Sequence, residues 1–364
     1  MTGPNTRRAI ATKTIALIIV AVVVVGGLGV VASQYLSPKP KPTSLIIGVV
    51  FNPVPPQAIN IEAAKDLGIF AQNGLNVTVE NVPGGGAVLL QSMIAGKTTA
   101  VEPGFAFDMG AILNNASIVN VMVPEPVQPG MVVATSAFTS VSQLANATLG
   151  ISSQSAGDQI ALEGTLSHYN VSLSGVHWVT AGSPASRLKA LVAGKIDAAF
   201  ITADQLPVVK EYPQLNILVP DVSQFMPWFP TTFLTFTRAF VQQNPTVVAA
   251  AVKSIIQASR IMNSNESAFA YVVQKELPGY YNSSQVSDIW TYLQADGNWG
   301  VNGGINYVKL NHSLDFYKTV INPSAQNSPL IAAAPNIMDT TFVNQALNQL
   351  GVINTPQDVP DWRS

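Results

Sequence analysis

From residue 45 onward the chain alternates between short apolar runs and segments whose apolar residues recur at helical spacing. Residues 45–51, LIIGVVF, form a run of the length and composition of a buried strand. A proline-rich polar loop follows at 52–57, then a helix is expected over 59–67, stopped by Gly68. Leu75, Val77 and Val79 alternate with Asn76, Thr78 and Glu80, which is strand period. Further along, strands are expected at 149–152, 177–180, 198–202, 215–219 and 232–237. Helices are expected at 156–169 and 185–192, and then in a C-terminal series at 246–262, 266–276, 284–294 and 342–350. Asn244-Pro245 supplies an N-cap and a proline at the first helical position of that series. Strands alternating with helices predict an α/β fold of parallel sheets joined by crossover connections.

One segment recurs. Residues 84–97 read GGGAVLLQSMIAGK and residues 182–195 read GSPASRLKALVAGK, aligned without a gap. Each is a turn, a helix and a glycine stop, and each runs into an expected strand, at 99–103 and 197–202. Two units of one plan about a hundred residues apart predict two related lobes. The return strand at 232–237 places the second lobe as an insertion in the first. The chain would then cross near 124–131 and again near 220–230. The expected division is lobe 1 at 45–126 and 228–364, and lobe 2 at 127–227.

The N-terminus has another character. Arg7, Arg8 and Lys13 precede an apolar stretch at 15–32, with no acidic residue before it. That length suffices to span a bilayer core, and the basic flank orients the first residues to the cytoplasm. A cleaved signal peptide ending in Val30-Val31-Ala32 is the rival reading, but signal cores are shorter. An uncleaved single-pass anchor at 1–33 is therefore expected, and both readings put the body outside the cytoplasm. Residues 34–44, rich in proline and lysine, read as an extended tether.

Composition narrows the chemistry. Cysteine is absent, which excludes disulfides, thiolate metal sites, cysteine nucleophiles and a lipidated-cysteine anchor. The net charge of −2 and a charged fraction of 10% leave no electrostatic footprint for nucleic acid. Seven Asn-x-Ser/Thr triplets begin at Asn76, Asn115, Asn146, Asn170, Asn265, Asn282 and Asn311, as suits an exported glycoprotein. The three histidines are scattered, so no metal site and no cofactor are expected. No nucleophile, base and orienting group share a recognisable spacing, and no enzyme is expected.

Loops at the carboxyl ends of strands are where open α/β sheets hold ligands. Asn52 follows the first strand. Gly84, Gly85 and Gly86 follow the next and open a helix, so backbone N–H groups there suit a ligand or an ordinary tight turn equally. Phe105 is a candidate for one wall, or for the core. In the second lobe Ser153, Gln154 and Ser155 open a helix, as ligand donors or as simple caps, since Ser155 and Asp158 have capping-box spacing. Thr180, Asp204 and Trp228 complete the candidates, Trp228 as an aromatic contact at the second crossing. No basic residue lies in the two helix-opening loops. A bound anion would therefore rest on helix ends and hydroxyls, while Asp158, at one of those ends, leaves a neutral or zwitterionic ligand open.

The string EAAKDLGIFAQNGLNVTVENVPGGGAVLLQSMIAGKTTAVEPG, at 62–104, resembles the nitrate/sulfonate/taurine and thiamine-pyrimidine substrate-binding family of ABC transporters. RLKALVAGKIDAAFITADQLP and SQLANATLGISSQSAGDQIALEG in the second lobe resemble the corresponding steps of that family. One step departs from it: Thr98-Thr99-Ala100-Val101 lacks the usual acidic residue. The resemblance implies a two-lobed periplasmic-binding-protein-like fold of type II, with two chain crossings. It implies capture of a small organic or oxyanionic solute (sulfonate, nitrate or pyrimidine-like), with a permease and an ATPase as partners. Relatives that are enzymes of thiamine-pyrimidine synthesis depend on cysteine, which this chain lacks. A membrane-tethered sensor, or an extracytoplasmic enzyme on the same fold, is the alternative.

Overall fold

The computed structural model describes residues 43–51 and 53–363. The anchor and most of the tether expected from the sequence lie outside the described residues, as does Asn52. Among the described residues no helix is long and apolar enough to cross a membrane.

The body is built on two five-stranded sheets. The first contains β1 (Thr43–Val49), β2 (Leu75–Asn81), β3 (Ala100–Val101), β4 (Ile118–Met122) and β10 (Leu234–Thr237), in the order β2-β1-β3-β10-β4. The second contains β5 (Gly130–Thr135), β6 (Thr148–Ile151), β7 (His177–Thr180), β8 (Ala198–Thr202) and β9 (Leu215–Val219), in the order β7-β6-β8-β5-β9. The two orders are the same once the chain numbering is shifted. The chain passes to the second sheet between Met122 and Gly130 and returns between Val219 and Leu234.

The sequence pattern explains the local choices. β2 sits at a sheet edge, and its burial alternates along LNVTVEN, with Leu75 and Val77 inward and Asn76 and Thr78 outward. β4 is buried along its whole length, and so lacks the alternation that marks a half-exposed strand. Longer helices fill the crossovers: α1 (Asn60–Asp66), α2 (Gly86–Ile94), α3 (Phe105–Leu113), α4 (Gly157–His168) and α5 (Pro184–Val192). A C-terminal series follows with α6 (Pro245–Ser264), α7 (Glu266–Glu276), α8 (Ser283–Asp296), α9 (Tyr307–Phe316) and α10 (Thr341–Leu350); the shortest helical segments carry no label.

The sheets are mixed, which corrects the expectation of parallel sheets. β1, β2 and β3 pair in parallel, but β10 runs antiparallel to β3 and β4. Likewise β6 is parallel to β7 and β8, whereas β5 is antiparallel to β8 and β9. The crossings are the reason. Each of β5 and β10 is entered directly from the other sheet, at the end where the parallel strands finish, and so runs the opposite way.

The recurring segment occupies matching positions. α2 lies between β2 and β3, and α5 lies between β7 and β8. Gly84 and Gly182 open the two turns with φ of +114° and +79°, and Gly96 and Gly194 close the helices with φ of +74° and +64°. These are left-handed conformations that glycine adopts without a Cβ penalty.

The crossings are not the only links between the two sheet regions. Tyr281, just before α8, donates its hydroxyl to Asp204 Oδ2 at 2.9 Å. Gln205 Nε2 donates to Tyr281 Oη at 3.2 Å, and Ser223 Oγ donates to Asp296 in α8. All seven sequon asparagines are exposed.

Candidate functional site

The carboxyl ends of the parallel strands in both sheets face one cleft of about 490 Å³. Its wall is largely apolar, with Val49, Val50, Phe51, Val54, Phe107 and Phe200 among the contributors. Strand-end loops supply much of the remaining wall: 83–86 after β2, 102–104 after β3, 152–153 after β6 and 182–184 after β7.

The glycine cluster is there because two loops touch. A Cβ on Gly86 would lie 2.1 Å from Pro103 O and 2.3 Å from Phe107 Cδ2. Only glycine lets the start of α2 rest on the turn into α3. Gly85, at φ +86°, marks where the loops of the two sheets approach: a Cβ there would be 3.5 Å from Ser153 Oγ.

On the second-lobe wall, α5 carries Arg187 into the cleft. Ser183 caps α5 and Pro184 occupies its first turn, so Arg187 falls on the inward face and is 2% exposed. Its Nε donates to Phe200 O at 3.0 Å, its Nη1 donates to Gly182 O at 2.6 Å, and Nη1 lies 3.1 Å from Asp158 Oδ2. Asp158 in turn accepts from Ser152 N at 2.5 Å and Ser152 Oγ at 2.7 Å. Burial lowers the Arg187 pKa, and the nearby Asp158 and Asp204 carboxylates act against that. Most of this cation is thus spent inside the protein.

The first-lobe wall is acidic. Glu102, at the end of β3, lines the cleft and is 6% exposed, and its Oε1 has no hydrogen-bond partner. Burial pushes its pKa well above the usual carboxylate range, and the nearby Glu125 and Glu62 push it further. Glu125 accepts from Asn60 Nδ2 at 3.1 Å and from Thr232 Oγ1; burial raises it to about 7 in spite of those bonds. Glu62, in α1, is raised by burial to about 8. Gln57 and Gln128 also line the cleft with buried side-chain carbonyl oxygens that lack partners. Among the described residues no group of three or more His, Asp or Glu side chains is placed to hold a metal ion.

Of the candidates read from sequence, Gly84, Gly85, Gly86 and Ser153 line the cleft together. The others that are described lie elsewhere, each for a visible reason. Phe105 is a core residue packed edge-on against Phe229, Phe233 and Tyr317, and Phe107, two positions on, takes the wall instead. Gln154 and Ser155 are exposed; Ser155 sits at φ +62° and its N–H is held by Gln159 Oε1 at 2.7 Å. Thr180 ends the edge strand β7 and faces solvent. Asp204 is buried below the cleft against Gln205 and Tyr281, and burial raises its pKa. Trp228 stacks on His312 at 4.2 Å and leans on Phe316 of α9.

Sequence reasoning passed over Arg187 and Glu102. Arg187 stood in the quoted RLKALVAGK segment, three residues before Ala190 and one before Leu188 on an inward helix face. Glu102 is the lone acidic residue at the end of an apolar strand, where a ligand-facing side chain is expected.

Comparison with known proteins agrees with this geometry. No curated protein is significantly similar to the chain in sequence. The ligand-binding component of an ABC-type import system from Staphylococcus aureus, solved with zinc bound, superposes with a TM-score of 0.64 at 13% identity, over 84% of this chain and 99% of that one. The periplasmic aliphatic sulphonate binding protein SsuA from Escherichia coli gives 0.59 at 15% identity, over 78% of this chain and 97% of that one. The periplasmic nitrate-binding protein NrtA from Synechocystis PCC 6803 gives 0.66 at 10% identity, over 88% and 92%. At these identities the likeness establishes a periplasmic-binding-protein fold. The family model described as NMT1/THI5 like matches residues 55–266, which span β2 through β10 and every strand-end loop of the cleft but the first, and the chain belongs to that family.

Proposed function

We propose that this chain is the extracytoplasmic solute-binding component of an ABC importer, and not an enzyme. It captures a small organic solute between two lobes, 45–126 with 228–364 and 127–227, and delivers it to a permease and ATPase. The observation that carries this reading is the cleft of about 490 Å³, with strand ends from both sheets in its walls. Mostly apolar walls with a few buried polar groups suit a small organic ligand. Family membership and the named roles of the structural neighbours support the same reading.

The body is held at the membrane by an uncleaved N-terminal span. The support is the length of the apolar stretch at 15–32 and the lack of a cysteine for lipid attachment. Intact-mass measurement of the native protein is expected to retain residues 1–33; a mature N-terminus at Ser33 overturns the anchor. For capture, a thermal-shift screen of sulfonates, nitrate, pyrimidines and amino-acid-like compounds is expected to yield a stabilising ligand. Small-angle scattering with that ligand is expected to show compaction, as hinged binders close on cargo. An unchanged profile at saturation overturns capture by closure.

A further inference from the structure

The two walls of the cleft differ in what they have left to offer a ligand. On the second-lobe wall the cation is largely spent: Arg187 is paired with Asp158, and its Nε and Nη1 also donate to Phe200 O and Gly182 O, which leaves only Nη2 uncommitted. On the first-lobe wall the acceptors are unspent. Glu102 Oε1 and Gln57 Oε1 are buried and unpartnered, and so is Gln128 Oε1, which lies against Gly157 on the other side of the cleft. A buried polar atom left without a partner is destabilising, the more so when it is charged. A glutamine can turn its amide to present either end, but an ionised carboxylate only accepts, so Glu102 facing a cation fixes the sense of the wall.

Resting on the capture reading, we propose that the cargo has an apolar body and a cationic N–H-donor head, an amine or amidine, which docks on Glu102 with Gln57 beside it. The apolar body lies along Phe51 and Phe107. A charge balance supports this polarity. Arg187 and Asp158 pair on one wall, while on the other Glu102 lines the cleft with Glu125 and Glu62 near it, and no lysine or arginine is among the described first-lobe residues that line the cleft. Burial and those two neighbours raise the Glu102 pKa well above the usual carboxylate range when no cation faces it. A cationic head favours the ionised form and gains a charge-assisted bond in a site screened from water. An oxyanion such as a sulfonate would meet acceptors on that wall and a neutralised arginine on the other.

Benzamidine and benzenesulfonate test the proposal, since they share a ring and carry opposite charge. Each is titrated calorimetrically into the full chain in detergent, into Glu102→Gln and into Gln57→Leu, with folding checked by circular dichroism. The wild type is expected to bind benzamidine at least about tenfold more tightly than benzenesulfonate. Glu102→Gln is expected to lose about tenfold or more in benzamidine affinity, the scale of a hydrogen bond to a charged group. Gln57→Leu leaves the carboxylates in place, is expected to lose about threefold or more, and keeps the test alive should Glu102→Gln not fold. Equal or tighter binding of benzenesulfonate overturns the proposal. So does wild-type benzamidine affinity in the folded variants, or binding of neither probe. If neither probe binds yet another solute compacts the protein, only this proposal fails; if no solute compacts it, the capture reading fails as well.

Discussion

Replacing Glu62 by glutamine keeps the shape of a side chain that is 3% exposed in α1 and removes its ability to ionise. Burial raises the Glu62 carboxyl from the ordinary 4.5 to about 8, with Glu276 and Glu125 adding to the rise and a backbone hydrogen bond and Lys65 acting against it. The unfolded chain releases this proton from about pH 4.5 upward, whereas the folded chain holds it until about pH 8. The folded state therefore binds more protons in that window, and stability falls as pH rises through it. The contribution is fully present below 4.5 and is lost above 8. Ionising such a group inside the fold costs on the order of 3–5 kcal/mol, since each pKa step is about 1.4 kcal/mol. Glu125 and Asp296, raised to about 7, and Asp358, raised to about 6, act in the same direction, so the variant flattens the dependence without abolishing it. Thermal unfolding followed by circular dichroism between pH 4 and 8.5 reads the effect, with Tm changing by about 1–2 °C per kcal/mol. Wild-type Tm is expected to fall toward high pH, and Glu62→Gln to gain on it by several degrees at pH 8. A wild-type Tm that rises across the window, or a variant curve parallel to the wild type, refutes the reasoning.

Other substitutions probe the walls. Gly86→Ala forces a Cβ against Pro103 O, a backbone atom that cannot swing aside, and is expected to cost about 3 kcal/mol in urea unfolding. Arg187→Met leaves Asp158 buried with its cation removed and is expected to cost about 3–5 kcal/mol by the same measurement. Gly85→Val crowds Ser153 across the cleft and strains a left-handed backbone, so calorimetry is expected to show weaker ligand binding. Ser155→Ala, off the wall and exposed, is expected to leave affinity within about twofold, as surface changes usually do.

Much of the architecture was legible in the chain because it is written in local periods. The alternation at 75–79 and the paired glycine-helix-glycine segments placed β2, α2 and α5 and foretold two matching halves. α3 was passed over because FAFDMGAIL is apolar but for Asp108, which is itself buried, and carries Gly110, so it shows no stripe. β4 escaped for the related reason that IVNVM is buried on both faces. Strand direction could not be read from any period, because it follows from the end at which a crossing enters a sheet. In the site, glycines announced the places where backbones meet. Which side chains turn inward was a tertiary matter: Phe107 rather than Phe105 faces the cleft, and Trp228 found His312 as its stacking partner, a residue 84 positions away in the chain.

The contact between Tyr281 and Asp204 bears on how quickly cargo leaves. Those residues join the C-terminal helical region to the second lobe at a point separate from both crossings. A body tied only by its two crossings could swing wide; one tied at a further point either pivots about that point or releases it. Release would bare Asp204, a buried carboxyl whose Oδ2 takes hydrogen bonds from both Tyr281 and Gln205, so the wide-open form carries an energetic toll. If the body closes on cargo as proposed, dwell time would depend in part on a hydroxyl that never touches the cargo, and a docked permease that pulled α8 aside would shorten that dwell without competing for the cleft.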